Sequence, residues 1–353
     1  MKILFLSHTP DNGVFKVGSH HLARELSKSS IAVAHVSTPR SFAHKMLGKN
    51  SSNQKGGEEY LDEFGTLHVI PNVVLPVQIF KAGRLLGDLI KRIEFDDADF
   101  VLVDQPLMAG YVENNRLHGK VIYRPTDTYN RNPAAARQAR LASTADGVVA
   151  TSGAVLQGLD LPHTTPRMVL ENGVELSRFR AQEVAGPDAS ERAGMVYVGA
   201  IDYRFDWESL IAIAIANPDQ QISLVGPVSR HRDQLPGNIS LLGSVPYDEV
   251  PIHLSGARVG LIPLNATEVN QGRSPMKYYE YLASGLSVLA TSTASLRERQ
   301  SSQTFLFSNA EEAAKLSKRA LSADAPNLRG IQEAAGQDWS TKAAVLLEFL
   351  ESL

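Results

Sequence analysis

Short apolar runs alternate with stretches of helical periodicity along the whole chain. Lys2–Ser7, Ile31–Ser37 and Leu67–Pro71 are apolar runs of strand length. Gly18–Ser27 repeats Leu22 and Leu26 on one helical face. Gln78–Glu94 gathers Ile79, Leu85, Leu86, Leu89, Ile90 and Ile93 on one side. Phe100–Val103, Val121–Tyr123 and Gly147–Thr151 read as further strands. The alternation then begins again. Met168–Leu170, Gly194–Val198, Gln221–Val225, Ile239–Leu242, Val259–Ile262 and Ser287–Ala290 form a second strand set, with helices such as Trp207–Ala214 and Met276–Ala283 between them. Nearly continuous apolar strands separated by helices mean parallel sheets covered on both faces. The pattern predicts an α/β fold of two doubly wound, Rossmann-like domains. Gly158, Pro162 and Pro166 mark a linker between an N-terminal domain over 1–160 and a C-terminal domain over 161–335. Residues 336–353 hold a last helix with Ala344, Leu347, Phe349 and Leu350. A Gly/Ser/Asn-rich loop spans Gly48–Gly57, and no tandem repeat is present.

Composition narrows the class. At 353 residues the prior is two or three domains, which agrees with the pattern. A hydrophobic share of 43% with 21% charged residues excludes wholesale disorder, collagen and coiled coil. The chain has no cysteine, which removes disulfides, a thiol nucleophile and thiolate metal sites. No apolar run approaches the roughly 20 residues that span a bilayer. Met1–Leu6 is too short for a signal peptide and meets His8, Asp11 and Asn12 at once, so a cytoplasmic protein is expected. The net charge of −3 argues against a nucleic-acid partner. Arg40, Lys45, Lys49 and Lys55 carry no acid among them, and Lys81, Arg84, Lys91 and Arg92 follow. This stretch is either a solvated face or an attraction for an anionic surface or a phosphate-bearing acceptor, with contact at the inner face of the cell membrane.

Ligands of doubly wound sheets bind beyond the carboxyl ends of strands, so the cleft between two such domains is the expected site. Three strand-to-helix turns carry candidate chemistry. Ser274-Pro275-Met276-Lys277-Tyr278-Tyr279-Glu280 opens a helix with Pro275 in its first turn. Backbone N–H groups there can hold a diphosphate, Lys277 adds charge, and Glu280 can accept hydrogen bonds from a ribose diol. On spacing alone, the same residues also read as a surface helix with a Lys/Glu pair and a Tyr-Leu core stripe. Tyr197-Val198-Gly199-Ala200-Ile201-Asp202-Tyr203-Arg204 ends a strand at Gly199, where backbone can approach a ligand, and Arg204 can meet phosphate. Leu241-Leu242-Gly243-Ser244 gives a flat base room against backbone.

Asn172-Gly173-Val174-Glu175-Leu176-Ser177-Arg178-Phe179, then Tyr197-Val198-Gly199, then Ser274–Gly285 resemble a GT-B glycosyltransferase in that order. Phe15-Lys16-Val17-Gly18-Ser19-His20-His21-Leu22-Ala23, with Met276-Lys277, resembles the bacterial xanthan-type glucuronosyltransferases. The resemblance implies a UDP-sugar donor on the C-terminal domain and an acceptor on the N-terminal domain. The acceptor is a glycan or a polyprenyl-linked oligosaccharide of exopolysaccharide or cell-surface synthesis. It also implies no required metal or other cofactor, and a final helix that crosses back to the N-terminal domain. By the same resemblance Lys277 matches the phosphate-binding lysine, Glu280 the ribose-binding glutamate, and Gly199 and Ala200 the loop facing the diphosphate. Ser274, Met276, Arg204, Gly243, Gly18 and His20 complete the expected substrate contacts.

Many retaining relatives carry a second glutamate eight positions before the ribose one, and Gly272 stands there in this chain. That departure favours inversion, which needs a base. Asp127, in Tyr123-Arg124-Pro125-Thr126-Asp127-Thr128, matches the catalytic aspartate of the xanthan-type enzymes and reads equally as a turn cap. His8, His20 and His21 are the next candidates. Asp97-Ala98-Asp99 looks like a metal-binding pair but precedes its strand. No Gly-x-Gly-x-x-Gly follows the first strand, so a nicotinamide enzyme is not expected. The alternatives are a nucleotide-sugar epimerase of the same fold and a non-catalytic nucleotide-sugar-binding module.

Overall fold

The computed structural model describes residues 1–13, 16–38, 57–71, 80–115, 117–130, 133–185, 191–229, 232, 234–299 and 301–353. Arg40, Lys45, Lys49, Lys55, the loop over 48–56, Phe15, Gln78 and Ile79 lie outside them. The chain divides into two compact units, Met1–Glu171 with Lys342–Leu353, and Asn172–Thr341.

The first unit is built on eight strands: β1 (Lys2–Leu6), β2 (Ala32–Val36), β3 (Glu58–Leu61), β4 (Leu67–Ile70), β5 (Phe100–Val103), β6 (Lys120–Tyr123), β7 (Gly147–Ala150) and β8 (Arg167–Val169). Their order across the sheet is β3-β4-β2-β1-β5-β6-β7-β8. All pairs are parallel except β3 with β4. That hairpin turns where Asp62 accepts hydrogen bonds from Phe64 and Thr66 backbone N–H at 2.9 and 2.8 Å. Two expectations need correction. Met168–Leu170 does not open the second strand set, because Val148, Val149 and Ala150 of β7 pair with Arg167, Met168 and Val169. Residues 161–171 therefore belong to the first unit. The β3 hairpin arm carries no apolar run and left no strand signal. Leu4, Leu6, Val36, Val101, Val103 and Tyr123 line one core of this unit, and Leu86 and Ile90 of the helix Phe80–Arg92 close over it.

The second unit has β9 (Met195–Val198), β10 (Ile222–Val225), β11 (Ile239–Gly243), β12 (Val259–Ile262), β13 (Ser287–Thr291) and β14 (Thr304–Phe307), all parallel, in the order β11-β10-β9-β12-β13-β14. Alternation along each strand sends residues to opposite faces. Val196, Val225, Ile262 and Val288 face one core, which the helix Met276–Ala283 covers with Tyr278, Tyr281 and Leu282. Tyr197, Leu224, Leu261 and Leu289 face the other, under the helices Trp207–Ala216 and Ala310–Leu321. Gly260 permits this packing, since any Cβ there would run into the Tyr281 ring. Tyr281 in turn accepts a hydrogen bond from Val198 N–H at 2.9 Å. The helix that carries Lys277 and Glu280 is thereby fixed to the end of β9.

Candidate functional site

Three glycines sit at consecutive strand ends of the second unit: Gly199 after β9, Gly226 after β10 and Gly243 closing β11. Their φ values of +139°, +142° and +75° are left-handed conformations that a side chain strains to adopt. They are joined through backbone. Gly199 N–H donates to Val225 O at 2.8 Å, and Gly226 N–H donates to Gly243 O at 2.7 Å. A Cβ at Gly226 would overlap the Gly199 carbonyl, and one at Gly199 would overlap the Lys277 ammonium. The bare backbone ledge and Lys277 are one surface. The space a Gly243 side chain would fill is open.

Lys277 Nζ lies 4.1 Å from the centroid of the Tyr197 ring. Burial, helped by the Arg273 charge, pushes its ammonium down to about 7, and the Glu280 carboxylate works against that fall. Glu280 is buried one turn further along the helix. Burial pushes its carboxyl up to about 7, opposed by its hydrogen bond from Tyr247 and by the charge of Lys277. The Tyr247 hydroxyl donates to Glu280 Oε1 at 3.1 Å. Arg178 stacks 5.1 Å from the Tyr247 ring centroid and pairs with Glu175 and Asp248. Among the described residues no ion pair joins Lys277 to Glu280. Two desolvated groups of opposite charge thus stand one turn apart, beside backbone that a ligand can approach. Groups perturbed by burial together with a charged neighbour are candidates for a binding site.

The remaining expected contacts differ in what holds them. Ala200 O accepts the Tyr197 hydroxyl at 2.8 Å, which shapes the turn after Gly199. Arg204 Nε donates to both Asp202 carboxylate oxygens at 3.0 Å, so its charge is shared with a carboxylate and still acts on Lys277. Ser274 Oγ accepts from Asn172 N–H at 3.2 Å and from Arg299 Nη2 at 2.6 Å; it holds the loop before the helix. Asn172 Nδ2 adds a bond to Ser274 O at 2.7 Å, which gives Asn172 its role. Met276 is half-buried at the helix start. Tyr197, Tyr247, Gly226 and Arg273 carry weight here and escaped the sequence reading. Gly226, in Leu224-Val225-Gly226-Pro227, shares the strand-then-glycine signal that singled out Gly199.

In the first unit, Gly18 begins the helix Gly18–Lys28 and is buried. His20 Nδ1 accepts Val17 N–H at 3.1 Å, so Nε2 carries the proton and donates to Thr9 O at 2.8 Å. Both ring nitrogens are spent on holding the loop, and burial lowers the imidazole to about 4. Asp127 follows β6 and His8 follows β1. Burial lowers His8, and the Asp127 carboxylate acts against that fall. Asp97 pairs with Lys2 Nζ at 2.7 Å, and Asp99 accepts Lys2 N–H at 2.7 Å, so both carboxylates serve the strand entry. Among the described residues no group of three or more His, Asp or Glu is arranged to hold a metal ion.

Two doubly wound units, the first on a mostly parallel sheet and the second on an all-parallel one, are the architecture of the GT-B fold. Comparison with known proteins gives the particulars. Residues 194–323 match the family described as "Glycosyl transferases group 1". A stretch of 187 residues is 28% identical to a protein of Bacillus subtilis strain 168 named as a teichuronic acid biosynthesis glycosyltransferase, TuaH. The match covers 49% of this chain and 47% of that protein, so the chain spans about half the length of the curated relative it matches. Sucrose-phosphate synthase of Thermosynechococcus elongatus superposes with a TM-score of 0.72 at 15% identity, over 99% of this chain and 98% of that one. Anabaena HepE in complex with UDP superposes with a TM-score of 0.69 at 16% identity, over 100% of both chains. Among the described residues no helix is long and apolar enough to cross a membrane.

Proposed function

We propose that this chain moves a sugar from a UDP-sugar to a hydroxyl of a glycan or polyprenyl-linked oligosaccharide. One observation carries the donor half: Lys277 lies against Gly199 of the glycine ledge, and Glu280 stands one turn along the same helix, both desolvated and not ion-paired with each other. In this reading the diphosphate lies on the Gly199–Ala200 backbone and the start of the helix at Met276, with Lys277 neutralising it. The ribose diol donates to Glu280, and the base lies flat on Gly243. Structural relatives crystallised with UDP and with UDP-glucose support a uridine donor. The relative named for teichuronic acid supports cell-surface or exopolysaccharide glycan synthesis.

The finer reading is a hexosyl- or glucuronosyltransferase that inverts, needs no metal or other cofactor, and acts in the cytoplasm at the inner membrane face. Arg204 would then leave Asp202 in part to meet phosphate or the carboxylate of a uronic acid donor. Asp127 would take the acceptor proton. Gly272, in place of a glutamate, supports inversion.

Calorimetric titration of UDP, followed by a transfer assay, tests the whole. Lys277→Ala should weaken UDP binding roughly 30-fold or more, the scale of a charge-assisted contact. Asp127→Asn should bind UDP as the native chain does and lose most turnover. Unchanged UDP affinity in Lys277→Ala sinks the donor assignment, and retained turnover in Asp127→Asn sinks the base. An isomer formed from UDP-sugar alone would mark an epimerase instead.

A further inference from the structure

The Lys277 ammonium is held by something other than a carboxylate. An aromatic ring lies 4.1 Å from it to the centroid, and the bare backbone of Gly199 lies beside it. The ring belongs to Tyr197, which is 2% exposed and fixed at both ends. Its hydroxyl donates to Ala200 O at 2.8 Å. Its edge meets Phe205 at 4.9 Å between centroids and 77° between planes, and Phe205 meets Trp207 at 4.9 Å and 66°. The ring therefore has one orientation, and the face it presents is the one under Lys277. Ring faces attract cations, most strongly where water is excluded. A lysine has four rotatable side-chain bonds, so a fixed platform also removes the disorder that would otherwise oppose ligand capture.

We propose that Tyr197 is a positioning residue that holds the Lys277 ammonium over Gly199, charged and oriented for the donor diphosphate. This rests on the donor site proposed above. The aromatic stack Trp207–Phe205–Tyr197 then acts on the ligand only through Lys277. The ring also works against desolvation, because it favours the cation while burial favours the neutral amine. The ring thus acts beside the Glu280 and Asp202 charges, which also favour the cation against burial.

The test is UDP affinity by calorimetry from pH 6 to 9 in the native chain and in Tyr197→Phe, Tyr197→Leu and Lys277→Ala. In the native chain affinity should fall as pH rises through the Lys277 titration. Tyr197→Leu should move that midpoint down by about one pH unit and weaken binding about ten-fold at pH 7.5, the size of a desolvated cation–ring contact. Tyr197→Phe keeps the ring and loses only the bond to Ala200, so its midpoint should match the native one. A native midpoint in Tyr197→Leu overturns the proposal, as does a Phe variant that shifts as far as the Leu variant. The native chain gives a second readout, independent of how the variants fold. The ε-methylene protons of Lys277, assigned by comparison with Lys277→Arg, should resonate upfield under the ring current, and an unshifted resonance overturns the proposal. Unaltered UDP affinity in Lys277→Ala would instead condemn the donor site while leaving the ring contact standing.

Discussion

Each unit buries a cluster of charged and polar side chains near the ends of its central strands, and the two clusters have opposite character. In the first unit Ser7 Oγ meets Ser19 Oγ at 2.7 Å and donates to Asp104 at 3.1 Å, while His35 Nε2 reaches Ser19 at 3.0 Å. Asp104 pairs with the buried Arg124 at 3.2 Å. Burial works to raise the Asp11 carboxyl, but the hydrogen bond from Lys16 and the histidines His68 and His20 outweigh it and hold it low. Charges there meet charges, and His20 spends both nitrogens on backbone. In the second unit Lys277 and Glu280 are driven toward each other's titration range by burial and are held by a ring and a phenol rather than by ions. A cluster whose charges are answered internally maintains a loop. A cluster whose charges are only desolvated is complete once a ligand answers them.

The contrast can be broken from either side. The largest effect is expected in the first unit. Arg124→Met leaves Asp104 buried without its cation and should cost about 3–5 kcal/mol of stability in urea unfolding. UDP affinity of the folded protein should not change. Loss of UDP binding at native stability would mean that the first cluster, too, awaits a ligand.

The next effect is in the second unit and has the opposite sign. Glu280 is raised from 4.5 to about 7 in the folded chain, so its share of stability is full below pH 4.5 and is lost as pH rises through about 7. Glu280→Gln should therefore stabilise the free protein by on the order of 2–3 kcal/mol at pH 8 and by little at pH 4.5. The same variant should bind UDP about ten-fold more weakly. Stability and binding moving together, rather than apart, would show that Glu280 is a structural carboxylate.

Much of this was legible in the sequence, for identifiable reasons. Strand–helix alternation is a local signal, and it located six of the eight strands of the first sheet and five of the six of the second in their own sheet. Helical spacing put Lys277 and Glu280 one turn apart, but it read as well as a surface Lys/Glu pair, and only the resemblance singled them out. What pairs with what was not legible. Met168–Leu170 is an apolar run like any other, and only its register with β7 gives it to the first sheet. Thr304–Phe307 pairs with β13 and was missed, although Phe305–Phe307 is as long an apolar run as Val121–Tyr123. Tyr197 and Tyr247 pack in or against the cores of the second unit, and neither was singled out. Their second roles depend on contacts 80 and 33 positions away along the chain. His20 was legible as a histidine at a helix start, but not that Val17 and Thr9 consume both its nitrogens.

That last point supplies the smallest and most local test. His20 is lowered from 6.5 to about 4 chiefly by burial, with Asp11 and the Thr9 carbonyl acting the other way. Its share of stability is therefore present above pH 6.5 and is lost as pH falls toward 4. Protonation would place a second hydrogen on Nδ1, where Val17 N–H already donates, so acid must open the loop. In the native chain, hydrogen exchange of the β1 amides Ile3–Leu6, corrected for intrinsic rate, should quicken between pH 7.5 and 5. His35 is lowered as well, so part of that acceleration is not due to His20. His20→Gln cannot take up the proton and should flatten the change by about 1 kcal/mol. UDP affinity should stay native, because a side chain already committed to backbone has nothing left to offer a ligand. Weakened UDP binding in His20→Gln, with the pH profile of β1 unchanged, would return His20 to the substrate contacts and erase the difference between the two clusters.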